Sequence, residues 1–490
     1  MNNYLNDFLE RYVDSLYYNQ NFGAGPNQTD LYAKADYYEF LKPVLEIIKA
    51  NPDATPEELR KILFDRSGVT EAIQDLVYKK AMTPGLILSY GTPLYHETII
   101  AGNKKEVSLE NNGSIIYTPE KMTEETIFDL ASVTKIFTSI SILKLVEEGI
   151  LDLNASITSY APEFTNLNGV TVFDLLSFRV PLMTNGRLDA KDSRAEAEEI
   201  LFDIRVNENF NKDMNPYTDM GAMVLKYVIE RVTNMNYYDF LNSEVLEPMG
   251  MSSTYAAIPE NKMGLVASTN LDSKLYKDGR HIITTEAKEG IAYDAKARIM
   301  GQPYGNLSGH AGLFSTPHDM SNLATGLING EVLSSASIAE IGKNRTGHLK
   351  SDGTNYVQHL GYLCYSKYPK QSDSEVWLGL SGQTFASPGW LGNQLTVDPV
   401  NGLYTFMAAN RSHNRVTYVD PSVRPEVEVK ANDKTMIALP NGELKIDASR
   451  FAWHKDPIKI PASKLVLQYK MLDDILSISR EVEESKTMNI

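Results

Sequence analysis

The chain of 490 residues holds a single cysteine, Cys364, which excludes a disulfide framework and a thiolate metal cluster and fits a reducing compartment. Positive charge is also scarce. Lys and Arg number 47 against 63 Asp and Glu, a formal net charge of −16 at pH 7, so no basic surface able to neutralise phosphates or anionic lipid is expected, and nucleic acid is excluded as a partner. The most apolar run, residues 136–146, is broken by Lys144 and is too short to span a bilayer, so no transmembrane segment is expected. The opening "MNNYLNDFLERYVDSLYYNQ" is amphipathic and acidic. It has no basic start followed by an apolar stretch, so no export signal is read and a cytoplasmic location is expected. Repeats, low-complexity tracts, a phosphate-cradling glycine loop and the dinucleotide fingerprint are all missing. The eight histidines show no helical ligand spacing and have no cysteines to join them, so neither a metal nor a cofactor is expected.

What is present is ordinary globular material in a chain longer than one core usually serves. Hydrophobic residues make up 42% and charged residues 22%, which predicts a folded chain with a large core, and the length asks for two domains plus an appendage. Residues 1–66 read as an N-terminal helical extension. There "ADYYEFLKPVLEIIKA" has helical periodicity, and "NPDATPEELRKILFD" offers Thr55 as N-cap, Pro56 at the first helical position and acids in the first turn. A helix in "GVTEAIQDLVYKKA" is followed by two β-like runs, "GLILSYG" and "HETIIAG", parted by Thr92 and Pro93, which begin an antiparallel sheet. Helical patterns dominate from 122 to 351. Strand-like runs return at "NQLTVDP", at "LYTFMAANR" and around "LKIDASRFAW", before a last helix in "ASKLVLQYKMLDDILSISREVEE". A sheet begun early and finished late implies an α+β fold. Residues 67–121 and 352–490 would form an α/β domain with an antiparallel sheet and C-terminal helix, and 122–351 a mostly helical lobe.

The chemistry centres on "FDLASVTKIFT", residues 128–138. A helix places residues three apart on one face, so Ser132 and Lys135 would bring a hydroxyl and an amine within hydrogen-bond reach, as a nucleophile and its base require. The same spacing recurs at Ser141 and Lys144. Position separates the two. Ser132 stands at the mouth of its helix, where unpaired N–H groups and the dipole favour a developing oxyanion, whereas Ser141 sits mid-helix with carbonyls to bond. On spacing alone, Ser132 as a simple N-cap with a surface lysine remains the other reading.

The run "MTEETIFDLASVTKIFTSISILKLVEEGILDLNASITSYAPEF", with "EGIAYDAKARIMG" and "GHAGLFSTPHDMSNLATGL", resembles the serine β-lactamase and penicillin-binding protein-like hydrolases, in particular the esterase-like relatives of class C β-lactamases. The resemblance spans roughly residues 70–415. It implies the serine β-lactamase fold, with the site in a cleft between sheet and helical lobe, and a covalent acyl-enzyme on Ser132. "NPYTDMGAMVLKYVIERVTN" is similar to the family's tyrosine-x-asparagine element, which implies Tyr217 as acid/base and puts Asp219 where an amide is usual. Negative charge there would favour the ammonium form of Lys135, leaving open whether Lys135 is base or charge stabiliser.

For the third element, a strand with lysine or histidine then threonine and glycine, "LSGQTFASPGWLGNQLTVDP" places Ser387, Pro388 and Gly389 without the cationic side chain; Gln383 and Thr384 are the alternative. Gly389 would let a ligand approach the backbone, and the Trp390 N–H would join that of Ser132 as an oxyanion hole. "DLLSFRVPLMTNG", 174–186, departs from the family's usual loop, with Arg179 as a carboxylate binder or a solvated side chain. The glycines around His310 allow it to lie near the pocket, but it reads first as a turn histidine bonding backbone, and Thr316, Pro317 and Asp319 read as a helix start.

The expected substrate is a small ester or amide. D-alanyl peptides or β-lactams, acyl transfer to a non-water acceptor, and a non-catalytic ligand-binding protein are the alternatives. The oligomeric state is not written in the sequence.

Overall fold

The computed structural model describes residues 2–20, 22, 32–80, 82–109, 115–269, 273–275, 281–283, 289–413, 416–417, 436–438, 444–447 and 455–487. Its centre is a six-stranded sheet drawn from the two ends of the core. β1 (Gly85–Thr92), β2 (Tyr95–Leu109) and β3 (Ile115–Lys121) come early in the chain, and β4 (Phe385–Pro388), β5 (Gln394–Asp398) and β6 (Leu403–Ala409) late, in the order β4-β5-β6-β1-β2-β3. Every neighbouring pair is antiparallel. The seam is β1 against β6, running from Leu86 opposite Ala409 to Gly91 opposite Tyr404.

Strand alternation sends side chains to opposite faces, and both faces are covered. Ile87, Phe385, Leu395, Val397 and Phe406 join the core of the helical lobe. Leu86, Leu88, Tyr90, Ala386 and Met407 lie on the other face, in a core shared with α1 (Asn2–Asn19), α2 (Lys34–Ala50), α3 (Pro56–Arg66) and the C-terminal helix (Asp456–Thr487). Thr55 caps α3 as the sequence predicts, accepting from the Glu58 N–H, with Pro56 beginning the helix. "LKIDASRFAW" divides differently from expectation. Leu444–Asp447 forms a strand, but it pairs with Met436–Ala438 and Val416–Thr417 in a separate small sheet; residues 448–453 lie outside the described residues.

Between the two halves of the sheet lie α4 (Thr134–Glu147), α5 (Met220–Thr233), the short α6 (Ala295–Met300) and α7 (Pro317–Asn329), which precede the C-terminal α8 (Asp456–Thr487). α4 is buried nearly all round, from Thr134 to Leu143 without a break, as befits a helix enclosed by its own lobe rather than lying on a surface. α7 starts at Thr316, whose hydroxyl accepts from the Asp319 N–H, with Pro317 in the first turn. Among the described residues no helix is long and apolar enough to cross a membrane.

Candidate active site

The turn that presents Ser132 is held before the helix begins. Ser132 lies in the 3-10 turn Ala131–Val133 that runs into α4, and Ala131 has φ 48°, a left-handed conformation that costs an alanine about 1 kcal/mol or more. Asp129 holds it there. One carboxylate oxygen of buried Asp129 accepts the Ala131 N–H at 2.8 Å and the other the Tyr293 N–H at 2.7 Å. Burial pushes the Asp129 carboxyl up to about 6, the two N–H bonds opposing it. The hairpin between β4 and β5 is bolted to the same segment: Asn393 Nδ2 donates to the Asp129 carbonyl at 2.7 Å. Gly389 lies so close that a Cβ would come within 2.6 Å of the Leu130 carbonyl.

Lys135, one turn along, is wholly buried. Its Nζ donates to Ser132 Oγ at 2.9 Å and to the His310 carbonyl at 3.2 Å, and it pairs with Asp219 Oδ1 at 2.8 Å. With the Tyr217 side chain also within hydrogen-bond reach, every N–H of the ammonium has a partner. Burial by itself would lower its proton affinity. Asp219, with Tyr217 beside it, more than reverses this and holds the amine above its ordinary range. For Asp219 burial pulls the other way; Lys135, His310 and Lys296 outweigh it and hold the carboxyl well below the usual range.

Tyr217 brings its ring face to within 5.0 Å of Lys135 Nζ, centroid to nitrogen. The ring is packed between Phe178 at 5.2 Å and Tyr365 at 5.5 Å. Tyr365 in turn bridges to Ala386 of β4 through backbone bonds of 2.8 and 2.9 Å, so the phenol is located by the helical lobe and the sheet together. Four non-glycine residues among those described have left-handed φ: Ala131, Phe178, Asn234 and Leu363. Asn234 ends α5, where asparagine is tolerated. Of the other three, Ala131 precedes Ser132, Phe178 stacks on Tyr217, and Leu363 lies two residues before Tyr365. Strain of this kind persists only where the surroundings over-determine it.

A second set of charges lies behind Asp219. Lys296 Nζ, at the start of α6, is 3.1 Å from Asp219 Oδ2 and 3.2 Å from Asp294 Oδ2. Asp294 Oδ1 accepts from His310 Nε2 at 3.0 Å, and His310 Nδ1 is 3.0 Å from Ser308 Oγ. His310 therefore differs from expectation, because its ring bonds side chains while its carbonyl holds Lys135. Asp219, Asp294 and His310 converge closely enough to suggest a cation site, but the ammonium groups of Lys135 and Lys296 already stand on the Asp219 and Asp294 oxygens. Sequence reasoning missed Asp129, Asp294 and Lys296. Their only signal was three unremarkable charges, two of them in "AYDAKARIMG".

Residues 99–425 match the family model Beta-lactamase. The chain belongs to the Beta-lactamase family. A "Putative D-alanyl-D-alanine carboxypeptidase" of Salmonella enteritidis PT4 (strain P125109) is 27% identical over 347 residues, covering 65% of this chain and 77% of that protein. A penicillin-binding protein homolog from Caulobacter crescentus has a TM-score of 0.53 at 16% identity, covering 71% of this chain and 92% of the other. A class C β-lactamase from Rhodobacter sphaeroides has a TM-score of 0.50 at 16% identity, with 74% and 97% covered. These two show the shared fold, the α+β arrangement that the resemblance implied.

In this Beta-lactamase-family chain the first of the two segments expected for the third element, Ser387 to Gly389, falls at the end of β4. Ser387 is buried and shares strand parity with Phe385, whose side chain joins the lobe's core. Trp390 follows Gly389 in the turn, with its side chain 52% exposed and the Arg411 guanidinium 4.6 Å from its ring centroid. Gln383 and Thr384 precede β4 and lie by Gly342, beyond the end of a helix (Ser335–Ile341). The second serine and lysine pair is not a site: Lys144 turns to Glu148 at 3.2 Å and Glu244 at 3.6 Å. Arg179 is exposed and stacks on Phe173 at 5.5 Å.

Proposed function

We propose that this chain is a serine hydrolase in which Ser132 forms a covalent acyl-enzyme with a small ester or amide. The observation that carries the reading is the 2.9 Å contact between Ser132 Oγ and a fully buried Lys135. A surface lysine beside an N-cap would not be enclosed in this way. Ser132 Oγ attacks the carbonyl carbon, forming the C–O bond as its proton passes to Tyr217 acting as a phenolate. Tyr217 then protonates the alkoxide or amine leaving group as the carbonyl re-forms, and water repeats the sequence to release the acid. Lys135 is the charge stabiliser in this scheme, because all three of its donors are engaged and Asp219 favours its ammonium form.

The Ser132 and Trp390 N–H groups take the oxyanion, a role supported by the close fit of Gly389 on the turn before Ser132. Ser387 and Gly389 line the acyl site. Removing one oxyanion donor typically costs on the order of 100- to 1000-fold in rate. The missing cation on β4 therefore matters less than this backbone. The proposed location is the cytoplasm, on the sequence reading alone. The carboxypeptidase name of the Salmonella relative favours a second reading, cleavage of D-alanyl peptides.

A fluorophosphonate probe followed by intact-mass analysis tests the proposal. One adduct per chain, absent from Ser132→Ala, is the expected result. No adduct, together with no turnover across a panel of esters and D-alanyl peptides, would show a binding protein instead.

A further inference from the structure

Lys296 has no part in the scheme above, yet it is placed to control it. Its side chain is only 19% exposed, and it stands on the second oxygen of the carboxylate whose first oxygen holds Lys135. Asp219 is thus shared between two ammonium groups, at 2.8 and 3.1 Å. A carboxylate divided in this way binds each cation less firmly than it would bind one alone, since the two positive charges repel across it. Asp294, at 3.2 Å, keeps Lys296 in that position. Its own side chain is anchored by the Lys296 and Ala297 N–H groups at 2.8 and 3.0 Å and by His310.

We propose that Lys296 is a positioning residue, the second cation on Asp219, which weakens the grip of that carboxylate on Lys135 and so sets the pH window in which Ser132 can lose its proton. This rests on the serine hydrolase reading. The groups facing Lys135 are Ser132 on its own turn, Tyr217 and Asp219 from the segment entering α5, and His310 from the loop before α7; Lys296 and Asp294 stand behind Asp219, and Asp129 lies beyond Asp294. Within this set, Lys296 can be neutralised without touching Ser132, Lys135 or Tyr217. Loss of one positive charge raises the proton affinity of every neighbour, so the effect has a sign.

The second-order rate of fluorophosphonate labelling, followed by intact mass from about pH 5 to 10, reads that sign. Lys296→Met is expected to move the rising limb of the profile upward by about one to two pH units, as removal of a unit charge from the far side of a carboxylate should. Lys296→Arg should return the limb to within a few tenths of a unit. Lys296→Gln carries the same expectation as Lys296→Met and serves if the methionine variant fails to melt cooperatively. A lower rate with an unmoved limb would make Lys296 merely structural and overturn the proposal, as would failure of arginine to restore the profile. Labelling that persists in Ser132→Ala would instead overturn the hydrolase reading, and this inference with it.

Discussion

At the scale of single residues, the site is decided by which charges share a neighbour. Asp219 holds Lys135 from one side, and its loss has the opposite sign to that of Lys296. Asp219→Asn is expected to move the rising limb of the pH profile of labelling to lower pH, by about one unit or more; a limb that stays put would separate Asp219 from the proton inventory of Ser132. Ala131 makes a second residue-scale case. Its φ of 48° suits glycine better than any β-branched side chain. Ala131→Gly should leave stability within about 1 kcal/mol, relief of strain offsetting added chain entropy, whereas Ala131→Val should cost about 2 kcal/mol or more and slow labelling. Thermal melts beside labelling rates check both. The serine, lysine, tyrosine and Asp219 were legible because they fall in runs whose order resembles a family. Lys296 was not, because a lone lysine acquires meaning only from a carboxylate far along the chain.

At the scale of elements, the site is an agreement between a helix mouth and a strand end. α4 presents Ser132, and the β4–β5 hairpin is locked to the preceding segment through Asn393 and the Asp129 carbonyl. Gly389 sits in the gap, with 2.6 Å between the Leu130 carbonyl and the place a Cβ would occupy. Gly389→Ala must therefore push the strand away from the serine turn. The expected outcome is labelling slower by on the order of 100-fold on protein that still melts cooperatively; unchanged labelling would show that the hairpin does not help form the oxyanion site. Helices and strands here were largely readable, since Thr55 and Thr316 are written as caps and β1 and β6 as apolar runs. The pairing of β4 with β5 was harder to read, because "TFASPGW" carries Pro388 where the strand stops and no clean alternation.

At the scale of the molecule, both faces of one sheet are needed, and the N-terminal helices cover one of them. Leu41 of α2 is fully buried in the core shared with the sheet and α8. Leu41→Ala should cost about 2–5 kcal/mol in chemical unfolding although it lies outside the matched residues; a cost under about 0.5 kcal/mol would mark these helices as a loosely attached appendage.

Acid should also weigh on the whole fold. Burial pushes His359 down from 6.5 to about 4 and His413 to about 3, so the unfolded chain takes up protons where the folded chain does not. Their contribution is complete above about 6.5 and is lost as pH falls through 4 and then 3, for His359 roughly 3 kcal/mol. Asp129, raised to about 6, works in the opposite sense: its contribution is complete below about 3.8 and is lost as pH rises through 6. With two histidines against one carboxyl, melting temperature should fall between about pH 6.5 and 4. In His359→Asn, which keeps a donor for the Lys367 carbonyl, that fall should be shallower.

The sequence by itself determined most of the elements and the order of the motifs, and it offered Ser132, Lys135, Tyr217 and Asp219 as site candidates, because caps, periodicity and short runs are local and act through the backbone next to them. Tertiary structure alone decided that Asp219 holds the buried Lys135 amine above its ordinary range, that Asp129 also meets the Tyr293 N–H, and that Lys296 and Asp294 stand behind Asp219. Those outcomes depend on distances between charges brought together from separate elements and on the water excluded from around them, and neither quantity is a property of any stretch of chain.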